Sequence, residues 1–109
     1  MADTLKVLGQ SAPSATTLTT LYTVPAATTT VCSSIVVCNQ AASAGTFRVS
    51  VRVAGAADAT KQYLYYDTAI AANESLVATL GISLGAADVV SVYASSASQS
   101  FNLFGVERT

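Results

Sequence analysis

The run Phe47-Arg48-Val49-Ser50-Val51-Arg52-Val53 constrains this chain more than any other segment. Phe47, Val49, Val51 and Val53 fall on one side of an extended strand, and Arg48, Ser50 and Arg52 on the other. A period of two predicts a sheet with one packed face and one face toward solvent or a partner. The same rhythm recurs in weaker form almost to the C-terminus.

Leu5–Leu8 predicts a short first strand or an ordered arm, and Gln10–Thr17 a linker. Thr19–Val24 is strand-like and is stopped by Pro25, which cannot donate to a central ladder. Thr29–Asn39 is a long β-branched run with apolar residues on both parities around Ile35-Val36-Val37, which predicts cover on both faces. Gln40–Gly45 turns the chain into the strand Thr46–Ala54, and these two strands suit a hairpin. Gln62–Asp67, with Tyr63, Tyr65 and Tyr66, strongly favours β-structure. Leu76, Ala78 and Leu80 alternate in the next strand, and Ile82–Leu84 is a short segment or a bulged continuation. Val89–Ser95 and Phe101–Val106 close the series. Ala69–Ala72 is too short for a helix and is flanked by turn formers. Seven or eight strands with turns at roughly 8–12-residue spacing predict an all-β fold, a single antiparallel β-sandwich of jelly-roll or Ig-like type. Residues 1–17 then form an N-terminal arm, or a first strand plus linker, and residues 18–109 the sandwich domain.

Charge decides what such a sandwich offers its surroundings. Only 10% of the 109 residues are charged, against about 25% in ordinary soluble domains, while 51% are hydrophobic. Alanine accounts for 20 of the apolar residues, and 14 threonines and 13 serines supply polar surface in place of charge. A skin of this kind repels neighbours poorly, so it predicts a homo-oligomer or a component of a larger assembly. The basic residues Lys6, Arg48, Arg52, Lys61 and Arg108 are too few and too scattered to track phosphates, which argues against nucleic acid. Hydroxyl, glycine and charged residues interrupt every apolar run, so no membrane-spanning helix is expected. The start Met1–Lys6 lacks the features of a secretory signal, and cytoplasmic synthesis is the expectation.

Chemistry is thinly represented. No histidine stands ready to activate a serine, threonine or cysteine. Asp58, Glu74 and Asp88 fall in predicted turns, where turn formation accounts for them. No phosphate loop or calcium loop is present. Cys32 and Cys38 lie on one predicted strand, roughly 20 Å apart at about 3.3 Å per residue, which is too far for a disulfide. Two free thiols, no metal site, no cofactor and no enzymatic activity are the expectations. Tyr63 and Tyr65 share one strand face, with Tyr66 on the other. Buried, the pair fills the sandwich; exposed, it anchors an interface; a carbohydrate-binding module comes last, because tryptophan is absent.

Several segments carry a resemblance together: LYTVPA at 21–26, SSIVVCN at 33–39, TFRVSVRVAG at 46–55, KQYLYYD at 61–67 and DVVSVYAS at 88–95, closing on SFNLFG at 100–105. In this order and spacing the chain resembles small β-sandwich virion structural proteins of tailed bacteriophages, across roughly residues 18–106. The resemblance implies a non-enzymatic capsid decoration or cement protein on the outer shell, favouring a trimer, with the major capsid protein or other virion proteins as partners. It implies a place in the virion after assembly in the host bacterial cytoplasm. Tail, neck or fibre modules of similar fold are the alternative. Leu5, Val7 and Leu8 of the N-terminal segment and the face of Arg48 and Arg52 are the contact candidates, with Tyr63 and Tyr65 beside them.

Overall fold

The computed structural model describes residues 2–109, so Met1 of the expected N-terminal segment lies outside the described residues. Eight strands run in order: β1 (Asp3–Ser11), β2 (Thr19–Thr23), β3 (Thr29–Asn39), β4 (Gly45–Arg52), β5 (Tyr63–Ile70), β6 (Ser75–Leu84), β7 (Val89–Ala94) and β8 (Gln99–Arg108). Two four-stranded antiparallel sheets face each other, one in the order β1-β8-β3-β6 and the other β2-β7-β4-β5. We call them sheets A and B.

The pairings β1–β8, β2–β7, β3–β6 and β4–β5 nest inside one another. The chain is thus one long hairpin rolled up on itself, which is the jelly-roll member of the sandwich class.

The core forms where the inner faces meet. Phe47, Val49, Val90, Val92 and Ala94 of sheet B face Cys32, Ile35, Val37, Phe101 and Leu103 of sheet A, all within 1% of full burial. Phe47 and Phe101 meet edge-on across the interlayer with ring centroids 6.2 Å apart. Burying a side chain of this kind contributes about 1.5–3 kcal/mol, which lets a small domain hold together without a metal or disulfide.

Three departures from simple alternation shape the surfaces. In β3, register shifts between Cys32 and Ser34, so both Cys32 and Ile35 point inward although they differ in parity. Around Ile35-Val36-Val37, beyond the bulge, alternation is regular: Ile35 and Val37 enter the core and Val36 is half-buried on the outer side, where Val31 is 45% exposed, so β3 is not covered on both faces. In β4, the strand stops at Arg52 and the chain bends through a 3₁₀ turn at Val53–Gly55. Asp88 Oδ1 accepts the Ala54 N–H there, and Val53, expected on the packed face, is 66% exposed. In β6, Gly81 takes a φ of 61° and joins Leu76–Leu80 to Ile82–Leu84 as one bulged strand.

β1 extends well past Leu5–Leu8 and pairs along its length with β8. Gly9 lets it pass close to the β2 backbone, since a Cβ at that position would collide with the Leu21 carbonyl. The sandwich is pinched shut along this side.

Candidate interaction surfaces

Bulges decide which side chains reach the two outer faces. On sheet A, the cross-strand rows read Leu5–Val106–Val31–Ser83, then Val7–Phe104–Ser34–Thr79, then Gln10–Asn102–Val36–Val77. Leu5 is 79% exposed and Val77 69%, with Val7 and Val31 also open and Phe104, Val106 and Val36 half-buried. The side chains of these rows carry no charge. An ion pair, Arg108 Nε to Asp3 Oδ1 at 2.7 Å, sits at the end of the β1–β8 ladder and neutralises itself. Hydrogen bonding is also satisfied locally, with Gln10 Nε2 donating to Asn102 Oδ1 at 2.7 Å. Beyond that ion pair the face carries no charge, and its apolar side chains alternate with hydroxyls and amides, a surface that offers contact area with little charge to desolvate.

Sheet B presents the opposite character. Arg48 projects outward from β4 between two aromatic rings, its guanidinium carbon 4.2 Å from the centroids of both Tyr66 and Tyr93. Its Nε donates to Asp67 Oδ1 at 2.6 Å and its Nη2 to Oδ2 at 3.2 Å, a two-pronged ion pair. Hydrogen bonding to this carboxylate raises the Arg48 pKa further, and the same bond holds Asp67 below the ordinary carboxylate value. Asp67 itself has φ 48°, the left-handed conformation that a short polar side chain tolerates, and marks a bulge in β5. Tyr63 meets Tyr66 edge-on at 5.0 Å and donates its hydroxyl to Asp58 Oδ1 at 2.8 Å. Burial, then this carboxylate, push the Tyr63 phenol upward. Arg52, on the same face, donates from Nε to Ser91 Oγ at 3.2 Å and from Nη1 to the Ala56 carbonyl at 3.1 Å.

The expected contact residues thus divide. Leu5 and Val7 lie on the open face of sheet A, and Arg48, Arg52 and Tyr63 on the outer face of sheet B. Leu8 and Tyr65 instead turn inward against the core. Leu8 points inward by plain alternation from Val7, and the irregularity between Val7 and Gly9 then puts Gly9 on that same inner side. Tyr63 and Tyr65 do not share a face: two β5 steps answer one β4 step between Val49 and Ser50, so Tyr65 packs on Phe47 at 5.7 Å while Tyr63 goes outward. Tyr66, Tyr93 and Asp67 were not among the candidates. The outward Arg48 was the only sequence signal for them, since the Arg48–Tyr93 neighbourhood depends on the β4–β7 register.

Reactive chemistry is sparse. Cys32 and Cys38 are free thiols, and burial pushes the Cys32 thiol up to about 11, so it stays protonated. Among the described residues no group of three or more His, Cys, Asp or Glu side chains is placed to hold a metal ion. Asp88 Oδ2 and Glu74 Oε1 accept the backbone N–H groups of Gly85 and Ala71, which employs both carboxylates in turns. No helix among the described residues is long and apolar enough to cross a membrane.

No protein-family model matches the chain, and no curated protein or solved structure matches it either.

Proposed function

We propose that this chain is a non-enzymatic structural protein of a tailed-bacteriophage particle, a decoration or cement protein that binds the outer capsid shell and stabilises it. The observation that carries the proposal is the outer face of sheet A, uncharged apart from the Asp3–Arg108 pair at one end, with Leu5, Val7, Val31 and Val77 open to solvent. Four strands at about 4.8 Å spacing and about 30 Å long present roughly 600 Å². That approaches the ~800 Å² each partner gives to a standard protein interface. A monomer gains nothing from leaving such a surface wet. The jelly roll is also used by viral capsid proteins, an analogy at the level of fold alone.

The mechanism is additive contact. Each subunit lays a face on the shell whose only charges are the self-paired Asp3 and Arg108 at one end, so little charge has to be desolvated, and the particle's symmetry repeats that contact many times. The Arg48 cluster keeps the opposite side polar and well ordered, so one side docks and the other remains presented.

Quantitative mass spectrometry of purified particles, set against the major shell protein, tests the proposal. A ratio near one-to-one supports the decoration role. A few copies per particle would move the protein to the tail, neck or fibre, and its absence from particles would refute a virion role altogether.

A further inference from the structure

A sandwich of two open sheets has four edge strands, here β1 and β6 in sheet A and β2 and β5 in sheet B. An edge strand exposes unpaired backbone groups, and folded proteins guard such edges with charge, proline, bulges or brevity. Three of these edges are guarded. β1 carries Asp3 and Lys6 and is bulged at Leu8. β2 is five residues long and Pro25 comes soon after it. β5 holds Asp67 at positive φ and departs from register twice.

β6 is the exception. Its ten residues, Ser-Leu-Val-Ala-Thr-Leu-Gly-Ile-Ser-Leu, contain no charge and no proline, and its only irregularity is at Gly81. Among the described residues it is hydrogen-bonded as a strand to β3 alone. Before that bulge, Ser75–Thr79 pairs with β3 in unbroken steps from Cys38 to Ser34, leaving its other side open. Leu76, Ala78 and Leu80 remain half-buried on the inner side, and Val77 is 69% exposed on the outer side. The strand is unfinished on both faces.

The sequence of this segment identifies its partner. Leu76-Val77-Ala78-Thr79-Leu80 reads nearly the same in both directions about Ala78, since valine and threonine have the same shape. We propose that β6 pairs with β6 of a second copy of this chain, antiparallel about a two-fold axis at Ala78, joining two A sheets into one eight-stranded sheet. In that register Leu76 faces Leu80 of the other copy on the inner side, and Val77 faces Thr79 on the outer side. Both rows match apolar or isosteric groups, and a two-fold contact requires such self-complementarity. No charged partner is called for, because the edge offers nothing to pair with a charge. Joining the edges also doubles the width of the outer face of sheet A. The contact does not depend on where the protein functions.

The test uses the full chain and sedimentation equilibrium at about 100 µM, where a dimer of micromolar Kd is nearly saturated. The wild type is expected at twice the chain mass. The double variant Val77→Lys/Thr79→Lys sets like charges opposite each other on both sides of the axis and is expected to weaken the dimer about tenfold or more. The variant Val77→Lys/Thr79→Glu sets opposite charges there and is expected to restore it. Leu5→Lys, on the same outer face at the far edge, is expected to leave it intact. Circular dichroism melts confirm that each variant folds. A monomeric wild type overturns the proposal, as does a dimer or trimer that ignores both double variants. An assembly dispersed by Leu5→Lys and not by the lysine pair overturns it too, in favour of face-to-face packing.

Discussion

Ser50 and Ser91 stand directly opposite each other on β4 and β7, and both are fully buried. They differ in one respect. Ser91 Oγ accepts a hydrogen bond from Arg52 Nε at 3.2 Å, whereas Ser50 Oγ has no partner among the described residues. Removing the two hydroxyls is therefore expected to have opposite effects. A buried hydroxyl without a partner costs about 1–3 kcal/mol in lost hydration. Ser50→Ala removes that cost, and alanine's poorer fit to a strand takes back part of it, leaving a gain of about 1 kcal/mol. Ser91→Ala strips Arg52 of one acceptor, but the guanidinium keeps the Ala56 carbonyl at 3.1 Å. A loss of about 1 kcal/mol is expected, the ordinary net value of one hydrogen bond. The two variants should differ by about 2 kcal/mol, or about 1 M in urea midpoint at an m-value near 2 kcal/mol/M. In a thermal melt Ser50→Ala should rise by about 4 °C, the shift that 1 kcal/mol gives at this size. Equilibrium urea unfolding by circular dichroism, with a shared m-value, decides the matter. If both variants lose stability equally, the two hydroxyls do equivalent work and the asymmetry drawn from their partners is wrong.

Three further outcomes are expected. Glu107 is held below its ordinary value of 4.5, first by the Tyr22 hydroxyl and then by Lys6, so its stabilising contribution is complete above pH 4.5 and is lost as pH falls through the lower folded value. Tyr22 runs the other way: burial, then Glu107, raise it to about 12, so its contribution is intact below pH 10 and disappears as pH climbs toward 12; Glu107→Gln should flatten the acid limb of a stability–pH curve and Tyr22→Phe the alkaline limb. Gly105→Ala should cost about 3 kcal/mol or more, or prevent folding, because its Cβ would collide with the Val31 carbonyl; wild-type stability in urea would refute the close approach of β8 and β3. Tyr65→Ala should cost about 2 kcal/mol through lost packing on Phe47, and Tyr66→Ala no more than about 1 kcal/mol through its contact with Arg48; the reverse order in thermal melts would place the wrong tyrosine inside.

The all-β sandwich was legible because β4 alternates plainly and short runs of turn formers separate the strands. The expected hairpin of β3 with β4 does not form, since those two strands lie in different sheets. Faces were harder to assign than strands. Bulges at Leu8, Ser33 and Leu64 each reverse the inward side of the residues beyond them, and none of these three has a composition that announces a bulge. Gly81 does, and there the bulged continuation could be read. The full length of β1 was obscured because Asp3, Thr4, Lys6 and Gln10 are polar, as suits an edge strand with open sides. The Arg48–Tyr66–Tyr93 stack could not be read at all, since it joins three strands whose registers are set by long-range pairing. Leu5 and Val7 share a parity in the sequence, and the structure leaves both exposed on the outer face of sheet A.

The nested pairing has a consequence for how the domain is made. β8, the last of the eight strands to be synthesised, lies inside sheet A between β1 and β3. Until Gln99–Arg108 has left the ribosome, β1 has no neighbour to join and β3 lacks one of its two. The β4–β5 hairpin can form early, but closing β1 onto β8 requires strands nearly a whole domain apart in sequence to find each other, the slowest kind of contact to establish. The sandwich therefore cannot be completed strand by strand as it emerges, and a stop codon ahead of Gln99 would leave a gap through the middle of one sheet. Such a chain would present two raw edges where the finished sheet is continuous, and aggregation rather than partial function would be its fate.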